Sequence, residues 1–260
     1  FFMPLFPTFV VVDYMLPDGP IDVDNFLLTG LQYALMAMPA SAILIFFTAL
    51  LAATVRWIAT PRINPGIYPV HGSMYYRKWL INQIQDMSLF TLHSIYATVY
   101  AASWFRLLGA KVGKRAEIST AVGTLPDMLE LGEESFIADA VMLGDDDIER
   151  GWMTLRKTTV SDRSFVGNGA YVPDGTIIPP NTLIGVQSHT PPNDRMKAGD
   201  TWFGTPAIQL PAREVLQGFD ADTTFRPGLT RWIGRVCIET LRIVIPMAFA
   251  VGFGYAIVYQ

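Results

Sequence analysis

A six-residue period in the middle of the chain restricts its possible folds more than any other feature of the 260-residue sequence. An aliphatic side chain recurs at every sixth position, with one extra residue before Leu125 and a longer interruption after Leu143. This spacing matches neither the 3.6-residue period of an α-helix nor the two-residue period of an isolated strand. The repeated positions are Val112, Ile118, Leu125, Leu131, Ile137, Leu143, Thr154, Val160, Val166, Val172, Ile178 and Ile184.

A second set of positions follows each repeated one by four residues and holds mostly small or β-branched side chains, such as Ser135, Ala170 and Thr182. Glycine or alanine often follows the repeated position directly, as at Gly113 and Gly167, which suits a turn with a positive φ. One large and one small inward side chain per six residues fit a short strand and a tight turn, with three strands closing each coil. The pattern predicts a left-handed parallel β-helix of about four coils over residues 109–190.

Long uncharged segments on both sides of the repeat predict an integral membrane protein. Only 16% of the residues are charged, against roughly 25% in a typical soluble domain, and the mean hydropathy is +0.31. The uncharged stretch from Phe26 to Val55 exceeds, as a helix, a hydrocarbon core of about 30 Å. We expect transmembrane helices over residues 25–60 and 231–260. Residues 1–24 are interpreted as the end of a preceding transmembrane segment and a loop, so the chain is expected to be one piece of a longer polypeptide.

The basic residues indicate which side of the membrane holds the repeat. Arg56 and Arg62 follow the first predicted span, and Arg231 and Arg235 precede the hydrophobic part of the last one. By the positive-inside rule, the β-helix is expected on the cytoplasmic side. Residues 61–108, which connect the first span to the repeat, carry apolar side chains at helical spacing among polar ones, so they predict helices that lie in the membrane interface.

The cysteine content and the net charge exclude several kinds of site. Cys237 is the single cysteine, so an internal disulfide is excluded, and no Cys/His cluster has the spacing of a zinc site. A zinc carbonic anhydrase on this fold would need three histidines from the prism, and only His189 lies beside the repeat. The net charge of −4 provides no basic field for nucleic acid. We expect neither a metal nor a nucleic-acid partner.

An acidic segment interrupts the repeat after Leu143 and predicts a loop that projects from the prism. Its sequence, GDDDIERGWM, contains four carboxylates and an aromatic side chain: Asp145, Asp146, Asp147, Glu149 and Trp152. One interpretation is a solvated acidic loop with no chemical role. The alternative is a binding site for a cationic amine, because carboxylates attract an ammonium group and can accept its proton.

The repeat and the motifs around it resemble those of known enzymes. The six-residue period followed by Gly204-Thr205-Pro206-Ala207 is similar to hexapeptide-repeat acyltransferases, many of which have a Gly-x-Pro-Ala turn near the acyl donor. Over nearly its whole length the chain resembles, more narrowly, the membrane-embedded C-terminal domains of ε-poly-L-lysine synthetase and related nonribosomal peptide synthetases. The motifs that carry this resemblance are YYRKW (75–79), WFRLLGAKVGKRAEIST (104–120), LELGEESFIADAVMLG (129–144), RGWMTL (150–155) and FVGNGAYVP (165–173).

This resemblance implies an amide-forming acyltransferase in a bacterial cytoplasmic membrane. In the family, adenylation and carrier domains load an amino acid as a thioester on a phosphopantetheine arm, and copies of the membrane domain join it to an acceptor amine. The implied partners are therefore adenylation and carrier domains of the same or another polypeptide, and no cofactor is expected to bind this chain directly. Tandem copies or a homotrimer are expected, since such prisms commonly associate in threes.

Aminolysis of a thioester needs a base whose pKa lies near neutral pH, so histidines are the first candidates. We predict His71 or His189 as the general base, with Asp139 and the acidic loop holding the amine. Asn168 is a further candidate for substrate binding. Each residue also has a structural interpretation: His71 and His189 in loops, Asp139 at a solvated coil position, and Asn168 in a left-handed turn.

Two other functions remain open from the sequence. A coenzyme A-dependent acetyltransferase would need a basic donor groove along the prism, and Lys197, close to the Gly204–Ala207 turn, is the visible start of one. A catalytically silent copy would instead scaffold the assembly or gate the export of a polymer. The absence of histidine from the acidic loop favours this last alternative.

Overall fold

Short parallel strands stack into three flat faces around the aliphatic positions of the repeat. The computed structural model describes residues 3–15, 26–145, 147–211, 220 and 224–258. In chain order the strands are β1 (Gly66–Pro69), β2 (Lys111–Val112), β3 (Glu117–Ile118), β4 (Ala121–Val122), β5 (Leu129–Leu131), β6 (Phe136–Ile137), β7 (Val141–Asp145), β8 (Asp147–Glu149), β9 (Trp152–Leu155), β10 (Thr158–Val160), β11 (Phe165–Val166), β12 (Tyr171–Pro173), β13 (Ile177–Ile178), β14 (Leu183–Ile184), β15 (Thr201–Phe203) and β16 (Ile208–Leu210).

The strands join in parallel from coil to coil. The first face contains β2, β5, β10 and β13, the second β3, β6, β11, β14 and β15, and the third β4, β7 and β12. A bridge between Tyr171 and His189 extends the third face into the fourth coil. At the far end, β16 folds back antiparallel onto β15 and covers the edge of the second face.

The repeated aliphatic side chains fill the interior of this prism, as the six-residue period predicts. Those with no exposed surface are Ile137, Leu143, Val160, Val166, Val172, Ile178 and Ile184. The small side chains four residues later are buried with them, for example Ser135, Ala170 and Thr182. Each coil thus contributes one large and one small buried side chain at its faces, as close packing of a narrow interior requires. The three-faced parallel β-helix of about four coils is therefore confirmed.

Two of the repeated positions do not lie in the prism interior. Thr154 lies in β9, an antiparallel strand outside the prism, so its assignment to the repeat is wrong. Leu125 belongs to a second apolar cluster with Ile63, Ile81 and Met153. Both positions fall in insertions between coils, where the chain leaves the prism and packs against the segments that precede it.

Gly144, which follows Leu143, has the predicted positive φ of 74°, but the other glycines that follow repeated positions have a different role from the predicted one. Positive φ angles occur two residues further on, at one corner of the prism: Arg115, Glu134, Arg163 and Asn181. Gly113 is instead required because of close approach between coils. A Cβ at Gly113 would lie 2.5 Å from the carbonyl carbon of Gly132 in the next coil.

Replacement of Gly113 by alanine should therefore lower the free energy of unfolding by about 1–3 kcal/mol, since the clash is with backbone that cannot move aside. Gly234→Ala is the matched control, because a Cβ there meets no atom within 4 Å and the residue lies in a helix. Thermal unfolding of both variants in detergent tests this. Equal melting temperatures for the two variants would contradict the close approach of the coils.

The acidic insertion is a β-hairpin and not the predicted loop. Strands β8 and β9 pair antiparallel, and β1 pairs with the other edge of β9. The prediction of helices throughout residues 61–108 is accordingly wrong for Gly66–Pro69. The hairpin forms because Met153 and Leu155 are buried in the second apolar cluster while Trp152 faces outward, which is the alternation of a half-buried strand.

Five α-helices lie outside the prism within the described residues: α1 (Leu5–Met15), α2 (Phe26–Ala59), α3 (Ser73–Leu92), α4 (Ala101–Leu108) and α5 (Leu229–Val258). Among these residues, Leu35–Ala59 in α2 is the one stretch long and apolar enough to cross a bilayer, with a hydropathy of 2.2. Helices α2 and α5 meet where the Ser41 hydroxyl donates to the carbonyl oxygen of Val244 at 3.2 Å. The predicted loop at residues 16–24 and the last two residues of the predicted second span lie outside the described residues.

A buried ion pair fastens the end of α2 to the prism. The guanidinium of Arg56 donates to the carboxylate of Asp127, and neither side chain is more than 3% exposed. Arg56 also donates to the carbonyl oxygen of Thr60 at 2.7 Å, and its guanidinium lies over the ring of Trp57. Burial raises the pKa of Asp127, and the charge of Arg56 opposes that rise. The pair therefore joins α2 to the insertion that follows the first coil.

A carboxylate with three arginine partners stabilises the corner between the first and second faces. Glu134, whose side chain is 4% exposed, accepts hydrogen bonds from Arg163 at 2.7 Å, Arg115 at 2.8 Å and Arg226 at 3.4 Å. The hydrogen bond from Arg163, followed by those from Arg115 and Arg226, holds the pKa of Glu134 below its ordinary value. Because Arg226 precedes α5, this cluster also attaches the start of α5 to the prism.

The lowered pKa predicts how stability should change with acid. Since the pKa of Glu134 is lower in the folded than in the unfolded state, its stabilisation is present at neutral pH and is lost as pH falls through the folded value. The melting temperature should fall less steeply below about pH 5 in Glu134→Gln than in the wild type. Glu133→Gln is the control, because Glu133 is half exposed and 3.9 Å from Arg115. If the melting temperature of Glu134→Gln fell with decreasing pH as steeply as that of the wild type, the prediction would be contradicted.

Candidate functional site

A cavity of about 360 Å³ opens at the corner between the third and first faces. Its walls come from three segments, residues 156, 173–176 and 189–193. Asn193 holds the last of these against the prism, since its side chain accepts from the Ile177 N–H and donates to the Gly175 carbonyl oxygen, each at 2.9 Å. The volume falls in the range of small-molecule sites, roughly 300–1,000 Å³.

His189 lies in the wall of this cavity at the end of the fourth coil. Its ring packs against Tyr171, with centroids 5.0 Å apart. Its Nδ1 is 2.7 Å from the carbonyl oxygen of Thr190. Because a carbonyl can only accept, Nδ1 must carry the proton and donate it, which leaves the lone pair of the neutral ring on Nε2. The backbone thus fixes the tautomer that a general base needs.

The Gly204–Ala207 turn contacts the backbone of His189. It connects β15 to β16 and contains a cis peptide between Thr205 and Pro206. The His189 N–H donates to the Gly204 carbonyl oxygen at 3.1 Å, and the Gly204 N–H donates to the Ser188 hydroxyl at 2.8 Å. His189 therefore contacts this turn through its backbone and also lines the cavity.

Two charged residues of the cavity were not predicted from the sequence. Arg156 donates to Asp174 at 3.3 Å, and Asp174 is 5% exposed while Arg156 is about half exposed. In the sequence, Asp174 and Gly175 suggest only a turn, and Arg156 suggests only a solvated position at a coil edge. The sequence carries no signal for either residue, because the cavity forms only where residues 189–193 come together with both of them in the fold.

The other predicted site residues lie elsewhere on the prism. Asp139 and Asn168 are exposed on the corner between the second and third faces, one coil apart. The Asp139 carboxylate accepts from the hydroxyl groups of Ser119 and Thr120, and the Asn168 carbonyl accepts from Gln187 N–H at 2.8 Å. His71 is exposed in the turn that follows β1. None of these three lines the cavity around His189.

The acidic residues lie on the hairpin. Asp147 and Glu149 in β8 are exposed, and Glu149 is opposite Trp152, so these side chains share one face of the antiparallel sheet. Asp145 ends β7, and Asp146 lies outside the described residues. Within the described part of the chain, no three His, Cys, Asp or Glu side chains come together as a metal site would require.

The strand stacking and the inward six-residue period define a parallel β-helix protein of the hexapeptide-repeat type. No family model matches the chain. It is similar to Delta-poly-L-ornithine synthetase of Acinetobacter baumannii (strain AB307-0294), with 54% identity over 259 residues. The match covers 99% of this chain and 19% of the relative, so the chain spans about a fifth of that protein's length.

Solved structures align with lower similarity. A maltose O-acetyltransferase from Clostridium difficile 630 aligns at a TM-score of 0.41 with 14% identity, over 56% of this chain and 91% of the other. The apoenzyme of soybean serine acetyltransferase aligns at 0.37 with 15% identity, over 65% and 57%. Serine acetyltransferase from Neisseria gonorrhoeae aligns at 0.35 with 14% identity, over 78% and 69%. The fold assignment accordingly rests on the strand pairing within this chain.

Proposed function

We propose that this chain is a membrane-bound acyl-transfer domain that forms amide bonds between a carrier-bound aminoacyl thioester and an amine acceptor. The observation that carries the proposal is the position of His189, which lines the cavity and whose backbone N–H donates to the Gly204–Ala207 turn. Its fixed tautomer leaves Nε2 as the base. The similarity to a protein named for poly-L-ornithine supports a role in poly-amino-acid synthesis by a peptide synthetase.

In this proposal the acceptor amine enters the cavity and the thioester lies at the turn. The amine nitrogen attacks the thioester carbonyl carbon while Nε2 of His189 accepts the proton that the nitrogen loses. The new C–N bond forms, the C–S bond breaks, and the thiolate leaves. The imidazolium then returns the proton to the thiolate, so the ring is neutral for the next cycle.

The thioester is proposed to arrive on the phosphopantetheine arm of a carrier domain, after an adenylation domain has activated the amino acid. Both domains belong to the same polypeptide or to a partner, and this chain binds no cofactor of its own. The amino acid joined is proposed to be a basic diamino acid, ornithine or lysine. The relative's name and the resemblance to ε-poly-L-lysine synthetases support this choice.

The proposed location is a bacterial cytoplasmic membrane, with α2 and α5 in the bilayer and the prism in the cytoplasm. The apolar stretch Leu35–Ala59 supports a span, and Arg56 and Arg62 at its prism end support this orientation. Tandem copies or a trimer remain part of the proposal, and Phe136 and Phe165, which stack outward on the second face, suit contact with another prism.

Asp139 and the acidic residues Asp145, Asp146, Asp147 and Glu149 keep a proposed role in holding the amine. Trp152 and Asn168 keep a proposed role in substrate binding, and the participation of all these residues stays a prediction. His71 stays the alternative base, because it lies in the turn beside the hairpin.

The experiment that tests the proposal is a product assay with the full-length polypeptide in membranes. It receives ATP and labelled L-ornithine or L-lysine, and in a second arm acetyl-coenzyme A replaces ATP. An amide-linked oligomer that needs ATP is the expected product. An acetylated amine formed only in the second arm would indicate a coenzyme A-dependent acetyltransferase, and no product in either arm would indicate a scaffold or an export gate. Either outcome contradicts the proposal.

A further inference from the structure

The cavity beside His189 carries an exposed positive charge. Among its described lining residues, the Arg and Asp side chains are Arg156 and Asp174. The Asp174 side chain is 5% exposed, whereas that of Arg156 is 55% exposed, so a molecule that enters the cavity meets the guanidinium. Two prolines of the 189–193 segment, Pro191 and Pro192, line the same space and offer no charge that would compete.

The guanidinium is held in place by its surroundings. Its Nη1 donates to Asp174 at 3.3 Å. The aliphatic part of Arg156 crosses Gly175 so closely that a Cβ there would lie 2.7 Å from Cδ. One nitrogen is therefore engaged by a buried carboxylate, and the planar group has further N–H donors for a ligand. A positioned guanidinium favours a carboxylate, which it can bind through two parallel hydrogen bonds.

We infer that Arg156 binds the carboxylate of the amine acceptor, so that this site selects an acceptor that is a free amino acid. Asp174 is the positioning residue that orients the guanidinium. The inference rests on the proposed function, because the acceptor's amine is then directed toward Nε2 of His189 in the same cavity. The phosphate of a carrier arm is the other anion to consider, but the proposed donor lies at the Gly204–Ala207 turn, which is not among the residues that line this cavity.

The test compares two acceptors that differ only in the carboxylate, L-ornithine and L-ornithinamide, with the full-length protein and a preloaded carrier. The wild type should prefer ornithine over the amide by at least about 10-fold in kcat/KM. Arg156→Gln should bring this ratio close to 1, and Arg156→Lys should retain part of it. Lys157→Gln is the matched control, because Lys157 is adjacent, half exposed and paired with Glu130 on the first face. An unchanged ratio in Arg156→Gln would overturn the inference.

Two further readouts separate the outcomes. Binding of L-ornithine, measured by calorimetry without ATP, should weaken about 10-fold in Arg156→Gln and not in Lys157→Gln. If this holds while no amide product forms, the carboxylate site stands and the proposed function fails. If amide product forms and the preference for ornithine over ornithinamide is unchanged in Arg156→Gln, the carboxylate site is contradicted and the proposed function is not. A raised KM for the loaded carrier in Arg156→Gln, with the acceptor ratio intact, would show that Arg156 binds the phosphate of the arm and would also overturn the inference.

Discussion

Replacement of Asp127 by alanine should lower the free energy of unfolding by about 3–5 kcal/mol, because it leaves the buried Arg56 charged and unpaired. Arg56 has no exposed surface, and its remaining hydrogen bond to the Thr60 carbonyl oxygen does not compensate its charge. Thermal and denaturant unfolding in detergent would measure the loss. It should appear as separation of α2 from the prism as well as a lower melting temperature.

Two variants make this prediction specific. Lys111→Ala removes a 2.9 Å ion pair with Glu130, but that pair is exposed and should contribute no more than about 1 kcal/mol. The double variant Arg56→Met with Asp127→Leu removes both charges together and should recover most of the stability. If Asp127→Ala costs no more than Lys111→Ala, the ion pair is not what holds α2 to the prism.

Replacement of His189 by glutamine should reduce amide formation by about 10²–10⁴-fold, the usual contribution of a general base. Glutamine keeps the backbone hydrogen bond to the Gly204 carbonyl oxygen and leaves the prism interior untouched, so the melting temperature should stay near that of the wild type. His71→Gln is the matched control and should turn over near the wild-type rate. If His71→Gln lost activity while His189→Gln stayed active, the base would be His71 and not His189.

The prism was predictable because the residues that define it recur at short, regular intervals in the sequence. Each face of a coil buries one large side chain such as Val166 and one small side chain such as Ser164, and this pattern recurs every six residues along the chain. The role of Gly113 was not predictable to the same degree. Its need for a small side chain comes from the adjacent coil, 19 residues away in Gly132, and not from its own φ.

Contacts between distant segments explain what the sequence did not indicate. The pairing of Gly66–Pro69 with β9 joins residues far apart in the chain, and a four-residue strand between helical segments has almost no signature of its own. The Arg56–Asp127 pair similarly joins α2 to an insertion in the prism. Neither contact leaves a periodic pattern, so only the folded chain reveals them.

The candidate site was predictable in its parts and not in its arrangement. His189 and the Gly204–Ala207 turn were each recognised, yet their contact follows from the return of β15 to the second face. Asp174 and Arg156 were missed because each is ordinary in its own coil. The cavity arises where residues 189–193 come together with both of them.

The most direct test of His189 as the base is a single-turnover measurement on the full-length protein. The carrier is loaded with labelled L-ornithine, excess ATP is removed, and unlabelled acceptor is added while the remaining thioester is followed over time. The wild type should consume the thioester and form a labelled amide, and His189→Gln should leave the thioester intact for at least about 100 times longer. Consumption of the thioester by His189→Gln at the wild-type rate would contradict the account.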